Sequence, residues 1–328
     1  MLKGKELDLS EIYAPVHGDL DKIESRLKSV CKVDFPHLAK LLDYSLTSVG
    51  KRVRPILTLL SGKFYDYNVE RLLPMATAVE ILHTATLVHD DAVDKSSVRR
   101  GRATVNSLWG EEQAILLGDY LFAEAGSLTA STGNMRTIKL FAETLKIISW
   151  GEVSQALNAY NVKLKREEYF DRMAKKTAAL FVLSTESGAV LSGAPEPSIR
   201  LLNEYGYYLG LAFQVVDDIL DFVGTEKQLG KPAGADLLQG TFTLPAMLLR
   251  ERYPEEPAIK DLFKNKDSQG DVKKVIELVR NSPEITDECY RIATDFCAKA
   301  SRSLSQLPDK PARKSLMELA EYVVRRKK

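Results

Sequence analysis

Two acidic triplets are the residues of this sequence whose types and spacing point to chemistry. Both have the form Asp-Asp-x-x-Asp after an apolar run, in LVHDDAVD at 87–94 and in QVVDDILD at 214–221. Residues three and four apart are neighbours on a helix, so each triplet sets like charges side by side. The triplets also lie toward predicted helix ends, where the macrodipole is negative and lysine would be preferred. Such clusters need a cation.

A divalent metal ion is the cation that suits these side chains best. A solvated helix end would explain one triplet, but the apolar flanks predict partly buried helices, where unpaired carboxylates are costly. Mg2+ takes one or two carboxylates and completes its shell with water and phosphate oxygens. Two triplets that face one another would therefore hold Mg2+ and a diphosphate.

Basic residues near predicted helix ends complement the acidic triplets. They occur in GKRVRP at 50–55, in RRG at 99–101 and in KKTA at 175–178. Arginine recognises phosphate oxygens with a planar, two-pronged donor set, whereas lysine acts as a point charge. Each basic residue alone could be a surface charge, but the set predicts a polyphosphate site bound both directly and through metal.

Long helices are the elements that must position these residues. Apolar residues recur with the helical period between Gly and Pro breakers, and alternating strand-like runs are nearly absent. The predicted helices cover about 37–48, 53–64, 69–94, 111–131, 134–163, 166–193, 197–223 and 242–253. No composition shift marks a second domain, so the prediction is an all-α fold in a single domain, 1–328.

Composition excludes several classes of function. The 46 basic and 45 acidic side chains leave a formal charge of +1, so no general field attracts nucleic acid or anionic membranes. Cys31, Cys289 and Cys297 are odd in number and widely spaced, which fits neither a disulfide framework nor a zinc site. The polar N-terminus is no signal peptide, and no uninterrupted apolar run approaches the roughly 20 residues of a membrane span. We therefore expect a cytoplasmic protein without stable membrane insertion.

From Gly50 to Pro245 the chain resembles the trans-isoprenyl diphosphate synthases, the polyprenyl synthetase family. GKRVRP is similar to the family segment GGKxxRP, HDDAVD with RRG to the first aspartate-rich motif, and KKTAALF to the KTA segment. GLAFQVVDDILD resembles the second aspartate-rich motif, and GKPAGADLLQGTFTLP resembles GKPxGxDLxxGKxTLP. The resemblance implies the isoprenoid synthase fold, in which long, mostly antiparallel helices surround a central cavity.

The resemblance also implies a role for each matching residue. The expected metal ligands are Asp90, Asp94, Asp217, Asp218 and Asp221. The expected contacts to isopentenyl diphosphate are Lys51, Arg54, His83 and Arg100. The expected contacts to the allylic diphosphate are Arg99 and Lys176, with Lys231 as a further diphosphate contact. The catalytic set is Asp90, Asp91, Asp94, Lys176, Thr177, Gln214 and Asp217, in which Asp91 orients the metal ligands and Thr177 and Gln214 lie near the reacting carbons.

The sequence departs from the family pattern at two positions. Val49 replaces the second glycine of GGK, and Thr241 replaces the lysine of GKxTLP. The second change removes a positive charge near the allylic leaving group. We expect weaker substrate binding or compensation by a neighbour, without loss of the chemistry.

The reaction implied is the ionisation of an allylic diphosphate, geranyl or farnesyl, followed by attack of the isopentenyl double bond and loss of a proton. Mg2+, expected as three ions with substrate bound, would stabilise charge on the leaving group, and apolar walls would exclude water. The family resemblance also suggests a homodimer packed through long helices.

Small residues beneath the first triplet predict a long product. Ala85 and Thr86 lie about one helical turn before Asp90, where family members that stop at farnesyl carry bulky aromatics. The next turn offers Ile81 and Leu82, and Phe141 is either a deeper floor or ordinary core. The sequence thus most resembles hepta- to decaprenyl synthases that supply quinone side chains. A geranylgeranyl synthase, a catalytic subunit of a heteromeric synthase and, more remotely, a terpene cyclase are the alternatives.

Overall fold

Helices make up most of the described chain; the structure, a computed structural model, describes residues 8–47, 50–225, 233–263 and 269–326. The helices up to the first acidic triplet are α1 Leu9–Ile12, α2 His17–Val30, α3 Pro36–Leu46, α4 Val53–Gly62 and α5 Val69–Val93. Those up to the second triplet are α6 Val105–Trp109, α7 Glu111–Ser131, α8 Met135–Leu157, α9 Arg166–Met173, α10 Ala179–Leu191 and α11 Glu196–Val223. The remainder are α12 Ala235–Leu238, α13 Leu244–Arg252, α14 Pro257–Asp261, α15 Gln269–Arg280, α16 Pro283–Ser303 and α17 Pro311–Arg325.

Shorter elements join the helices. Two 3-10 turns span Ala14–Val16 and Leu304–Gln306, and a π-helical turn, Ala174–Ala178, connects α9 to α10. The strands β1 Val98–Arg99 and β2 Arg102–Ala103 pair in an antiparallel hairpin.

The prediction of an all-α fold is confirmed. The helix predicted over 134–163 ends at Leu157, and the helix predicted over 166–193 contains the π-helical turn. The hairpin at 98–103 was not predicted, because strands of two residues carry too little alternation to be recognised.

Side-chain caps and proline positions set where the long helices begin. The side chain of Asn68 accepts a hydrogen bond from the Glu70 backbone N–H at 3.0 Å, and Asn134 caps α8 in the same way. Pro197 lies in the first turn of α11, where a missing N–H costs nothing. These signals are local, which is why the predicted starts lie close to the observed ones.

The helices α5, α10 and α11 form the centre of the fold. Helix α5 packs against α4, α7 and α10, and α11 packs against α10 and α16. Lys176, in the π-helical turn before α10, lies 4.0 Å from Asp90 near the end of α5, and the adjacent Thr177 bonds Gln214 in the C-terminal half of α11. The C-terminal parts of α5 and α11 therefore meet near the start of α10. Both acidic triplets lie in those parts.

Helix α5 is also long and apolar enough to cross a membrane by length and composition. Of its apolar window, 61% is buried inside the fold. Leu72, Met75, Val79 and Leu82 are all fully enclosed by protein. A buried core helix can therefore meet the criterion of length and apolar composition that a membrane-spanning helix meets.

Candidate active site

The first acidic triplet lies at the last turn of α5, with Asp94 as the C-cap residue. Asp91 is buried, and its Oδ1 accepts a hydrogen bond from Arg99 Nε at 2.7 Å. The hairpin returns Arg99 to the helix, because the backbone N–H of Ser96 donates to the Asp91 carbonyl at 2.9 Å. Burial raises the pKa of Asp91 in spite of Arg99, and the neighbouring charge of Asp90 adds to the rise.

Lys176, in the π-helical turn before α10, lies close to the first triplet. Its Nζ donates to Glu152 Oε2 at 2.8 Å and is 4.0 Å from Asp90 Oδ2. Burial alone would lower the pKa of Lys176, but the carboxylates of Asp90, Glu152 and Asp94 together raise it, so the ammonium stays charged. The pKa of Glu152 is raised by burial and by the charge of Asp90. Glu152 was not predicted from the sequence.

Two glycines hold the π-helical turn that carries Lys176 and Thr177. A Cβ at Gly151 of α8 would lie 3.0 Å from the Lys176 backbone nitrogen. A Cβ at Gly210 of α11 would lie 2.5 Å from Cα of Ala178. Only residues without a side chain permit these approaches, so α8 and α11 clamp the turn from two sides. Single π-helical turns inside helices occur frequently at functional sites.

Asp218, the middle aspartate of the second triplet, lies in a buried hydrogen-bond network. Asp218 Oδ2 accepts from the Tyr169 hydroxyl at 2.6 Å, and Oδ1 accepts from Gln214 Nε2 at 2.8 Å. Gln214 Oε1 in turn accepts from the Thr177 hydroxyl at 2.7 Å. Burial, with a contribution from the charge of Asp236, raises the pKa of Asp218 to about 7.

The other two aspartates of the second triplet have different partners. Asp217 Oδ1 accepts from Arg326 Nη2 at 2.5 Å, close to the end of the described chain. Asp221 Oδ2 accepts from the Asp236 backbone N–H at 3.3 Å. The side chain of Arg326 is buried, although it belongs to the run of basic residues at the end of the sequence.

The two triplets face a common space. Burial raises the pKa of Asp94, and the charges of Asp90 and of Asp236, which lies beside the second triplet, raise it further. Lys176 provides the other connection, since it lies near Asp90 while the adjacent Thr177 bonds Gln214. The structure therefore brings together groups that are more than 120 residues apart in sequence.

A basic cluster adjoins this space. Arg54 Nε is buried and has no hydrogen-bond partner among the described residues, and its guanidinium carbon is 4.8 Å from the Phe181 ring centroid. Burial lowers the pKa of Arg54 to about 10, with smaller effects from the charges of Glu80, Arg100 and Asp217. An unsatisfied buried guanidinium N–H is suited to an anion.

Two of the other predicted contacts to isopentenyl diphosphate, His83 and Arg100, lie near Arg54. Burial, followed by the positive charges of Arg54 and Arg100, lowers the pKa of His83 well below its ordinary value, so the imidazole is neutral. Arg100 is exposed, and Lys51 Nζ lies 5.6 Å from the Tyr322 ring centroid. Arg52, the third cation of this segment, is instead bound by two carboxylates, Glu24 at 2.7 Å and Glu80 at 2.9 Å.

The residues predicted to control product length lie below the first triplet. Ala85, Ile81 and Leu82 are fully buried, and Phe141 is buried on α8. The hydroxyl of Thr86 donates to the His83 carbonyl at 2.8 Å, so the polar group of Thr86 is satisfied within α5. These residues make the wall beneath Asp90 apolar.

Of three further residues singled out from the sequence, only one is among the described residues. Lys231 and Val49 fall in segments that the structure does not describe. Thr241 is half-buried, and its backbone N–H donates to the Asp236 carbonyl at 2.8 Å. The expected effect of Thr241 on substrate binding stays a prediction.

The donor set of the cleft fits a hard divalent cation. Among the described residues, no three His, Cys, Asp or Glu side chains converge as a preassembled metal site. Mg2+ does not require one, because one or two carboxylates and a substrate phosphate complete its shell. Asp90 and Asp94 supply carboxylate oxygens next to further like charge, and an added cation would relieve that repulsion.

Comparisons with known proteins identify the family. The polyprenyl synthetase profile matches residues 35–279. The chain belongs to the polyprenyl synthetase family. Accordingly, it is a prenyltransferase. It is 36% identical over 320 residues to heptaprenyl diphosphate synthase component 2 of Geobacillus stearothermophilus, an alignment that covers 98% of this chain and 99% of that protein.

Two solved structures of polyprenyl synthetases are closely similar to this one. The polyprenyl synthase from Caulobacter crescentus CB15, complexed with calcium and isoprenyl diphosphate, superposes with a TM-score of 0.93 at 32% identity, covering 99% of this chain and 100% of that one. Heptaprenyl diphosphate synthase from Staphylococcus aureus superposes with a TM-score of 0.91 at 34% identity, covering 95% and 99%. The predicted family is therefore confirmed.

Proposed function

We propose that this polyprenyl synthetase condenses isopentenyl diphosphate with an allylic diphosphate, geranyl or farnesyl, in a Mg2+-dependent reaction. The product is a trans-polyprenyl diphosphate longer than farnesyl. The observation that carries the proposal is the meeting of both acidic triplets around Lys176, with Arg54 nearby. Two diphosphates in one cleft require carboxylates that bind metal ions and separate cationic side chains that bind phosphate oxygens.

Five carboxylates are the proposed metal ligands: Asp90, Asp94, Asp217, Asp218 and Asp221. Their oxygen-only donor set favours Mg2+ over softer transition metals. When bound, Mg2+ supplies positive charge that stabilises the leaving diphosphate. Asp91 holds Arg99 and so fixes the hairpin against the end of α5.

The allylic diphosphate is held by Arg99 and Lys176 in this proposal. Both are already oriented, Arg99 by Asp91 and Lys176 by Glu152, so little side-chain freedom is lost on binding. Thr177 and Gln214 lie beside Lys176 and would line the position of the reacting carbon. The apolar wall below Asp90 excludes water from the allylic cation.

Isopentenyl diphosphate is assigned to Lys51, Arg54, His83 and Arg100. The unpaired Nε of Arg54 supports this assignment, as does the neutral imidazole of His83, which can donate a hydrogen bond without adding to the positive charge. After the double bond has attacked, the proton leaves to the departed diphosphate, so the protein needs no base of its own.

Product length is proposed as hepta- to decaprenyl, for use as a quinone side-chain precursor. The small side chain of Ala85 supports an open path along α5, and the similar synthases from Geobacillus stearothermophilus and Staphylococcus aureus are named as heptaprenyl enzymes. A geranylgeranyl product is the alternative, in which residues deeper than Ala85 would block the path.

A homodimer in the cytoplasm is the proposed form of the enzyme. Helix α8 exposes apolar side chains at helical spacing, namely Ile147, Trp150, Val153 and Leu157. An apolar stripe of this kind favours association with another chain. The relative named component 2 raises a second candidate, a catalytic subunit that requires a different partner chain.

One assay tests the proposal. The purified chain is incubated with Mg2+, isopentenyl diphosphate and farnesyl diphosphate, and the extracted prenols are separated by chromatography while light scattering gives the mass. We expect long prenyl diphosphates from a dimer. Cyclic hydrocarbons would indicate a terpene cyclase, and activity that appears only after a partner subunit is added would indicate the heteromeric enzyme.

A further inference from the structure

A chain of three hydrogen bonds connects α9 to the reacting end of the site. It runs from the Tyr169 hydroxyl to Asp218, from Gln214 to Asp218, and from the Thr177 hydroxyl to Gln214, at 2.6, 2.8 and 2.7 Å. Tyr169 and Asp218 are almost completely buried. Tyr169 precedes Lys176 by seven residues, and Lys176 lies in the π-helical turn that follows α9.

The hydrogen bonds of this chain run in one direction. Gln214 turns its amide nitrogen toward Asp218, whose Oδ1 accepts the hydrogen bond. Its carbonyl oxygen is then left facing Thr177, whose single hydroxyl proton must be donated to it. The lone pairs of the Thr177 oxygen, and not its proton, are left for the cleft.

We propose that Tyr169 is a positioning residue for the condensation, acting through Asp218 and Gln214 to orient the Thr177 hydroxyl. The inference rests on the proposed function, in which Thr177 lies beside the carbon where positive charge develops. Oxygen lone pairs directed at that carbon stabilise the charge, whereas a proton would oppose it. Asp218, with one oxygen accepting from Tyr169 and the other from Gln214, thereby acts on Gln214.

Tyr169→Phe is the variant that tests this inference, because it removes one hydroxyl and leaves the ring. Loss of the bond leaves Asp218 Oδ2 buried without that donor, and the carboxylate can rotate away from Gln214. We expect kcat to fall about tenfold, as loss of one buried hydrogen bond predicts. The KM for isopentenyl diphosphate should stay unchanged, because Arg54 and His83 are not part of this chain.

Tyr205→Phe is the matched control. Tyr205 is also fully buried, and its hydroxyl donates to a backbone carbonyl, that of Leu316, at 2.8 Å. Both variants lose a buried hydroxyl, so a general loss of packing would affect them alike. We expect Tyr205→Phe to lower thermal stability while keeping the wild-type kcat.

A double-mutant cycle separates positioning from a structural effect. Thr177→Val removes the hydroxyl that the chain orients, so Tyr169→Phe should cost nothing further in kcat on that background. Thr177→Ser, which keeps a hydroxyl, should restore the sensitivity to Tyr169→Phe. An equal fall in kcat with and without the Thr177 hydroxyl would overturn the inference.

A spectroscopic measurement decides the matter independently of turnover. The side-chain amide NMR signals of Gln214, assigned by their loss in Gln214→Glu, should shift in Tyr169→Phe and stay in place in Tyr205→Phe. Unchanged Gln214 signals in Tyr169→Phe refute the positioning chain whatever the activity. If the wild-type protein forms no prenyl product while the Gln214 signals still shift in Tyr169→Phe, the proposed function is refuted. The chain of hydrogen bonds would then stand without it.

Discussion

Arg326 and Asp217 form an ion pair in which Arg326 Nη2 lies 2.5 Å from Asp217 Oδ1. The same guanidinium donates to the Phe213 carbonyl at 2.8 Å, and its carbon lies 3.8 Å from the Phe213 ring centroid. The end of the described chain therefore supplies a cation to the first aspartate of the second triplet. A metal ion that binds Asp217 must compete with this guanidinium.

Arg326→Gln is expected to lower the Mg2+ concentration that half-saturates the enzyme. The neutral side chain no longer competes for Asp217, and a gain of about 1.4 kcal/mol corresponds to tenfold in affinity. The measurement is the rise in unfolding temperature as Mg2+ is added in the presence of pyrophosphate.

Arg325→Gln serves as the control for Arg326→Gln. Arg325 is adjacent in sequence, but its side chain is exposed and pairs with Glu321 on the surface of α17. Its replacement should leave the Mg2+ dependence unchanged. A higher Mg2+ requirement in Arg326→Gln would show instead that Arg326 contacts the diphosphate.

Glu152→Gln is expected to move the alkaline limb of the activity profile to lower pH. The carboxylates of Asp90, Glu152 and Asp94 raise the pKa of Lys176 against the effect of burial. Removing one of these charges lowers that pKa, and Lys176 must be protonated to bind a diphosphate. The profile of kcat/KM for the allylic substrate against pH gives the shift. Glu143→Gln, which removes an exposed carboxylate paired with Lys146 on the same helix, should leave the profile unchanged.

Most of the fold could be predicted from the sequence because its signals are local. The caps and prolines that begin α5, α8 and α11, and the 3.6-residue repeat of apolar residues, depend on neighbours within a turn or two. The π-helical turn could not be predicted, since it depends on the approach of Gly151 and Gly210 from two other helices.

The candidate site was predictable only where a motif marked it. Asp90, Lys176 and Gln214 stand in segments whose composition is unusual. Glu152 and Tyr169 look like an ordinary helical carboxylate and an ordinary core aromatic, and only tertiary packing brings them to Lys176 and Asp218. No spacing along the chain encodes such contacts.

Without divalent metal, the free energy of unfolding should fall as pH rises through about 7. Burial raises the pKa of Asp218 from 3.8 to about 7, so the folded state favours the protonated form. This contribution is fully present below the unfolded pKa of 3.8 and is lost as pH rises through the folded value. It amounts to about 4 kcal/mol as an order of magnitude.

Urea unfolding between pH 4 and pH 8 in the presence of a chelator measures this dependence. Asp218→Asn removes the titrating group and should flatten the upper part of the curve. Burial also raises the pKa of Asp91 and Asp94, so a slope at lower pH should remain. An unchanged slope near pH 7 in Asp218→Asn would mean that Asp218 is ionised throughout.

Ala85→Leu is expected to shorten the product. Ala85 is fully buried on the face of α5 below Asp90, and a larger side chain there would close the proposed path of the growing prenyl chain. The first condensation should survive, because neither triplet nor Lys176 is touched. Ala76→Leu is the control, since nine residues at 100° each place Ala76, also fully buried, on the opposite face of the same helix.

Chromatography of the extracted prenols distinguishes the two alanine variants. Overpacking a buried alanine costs about 1–3 kcal/mol of stability at either position, so both variants should unfold at lower temperature. Only Ala85→Leu should shift the products toward shorter chains, and Ala85→Phe should shift them further because its side chain is larger. The same product length from Ala85→Leu and Ala76→Leu would place the path of the growing chain on another face of α5, and the proposed control of length by Ala85 would fail.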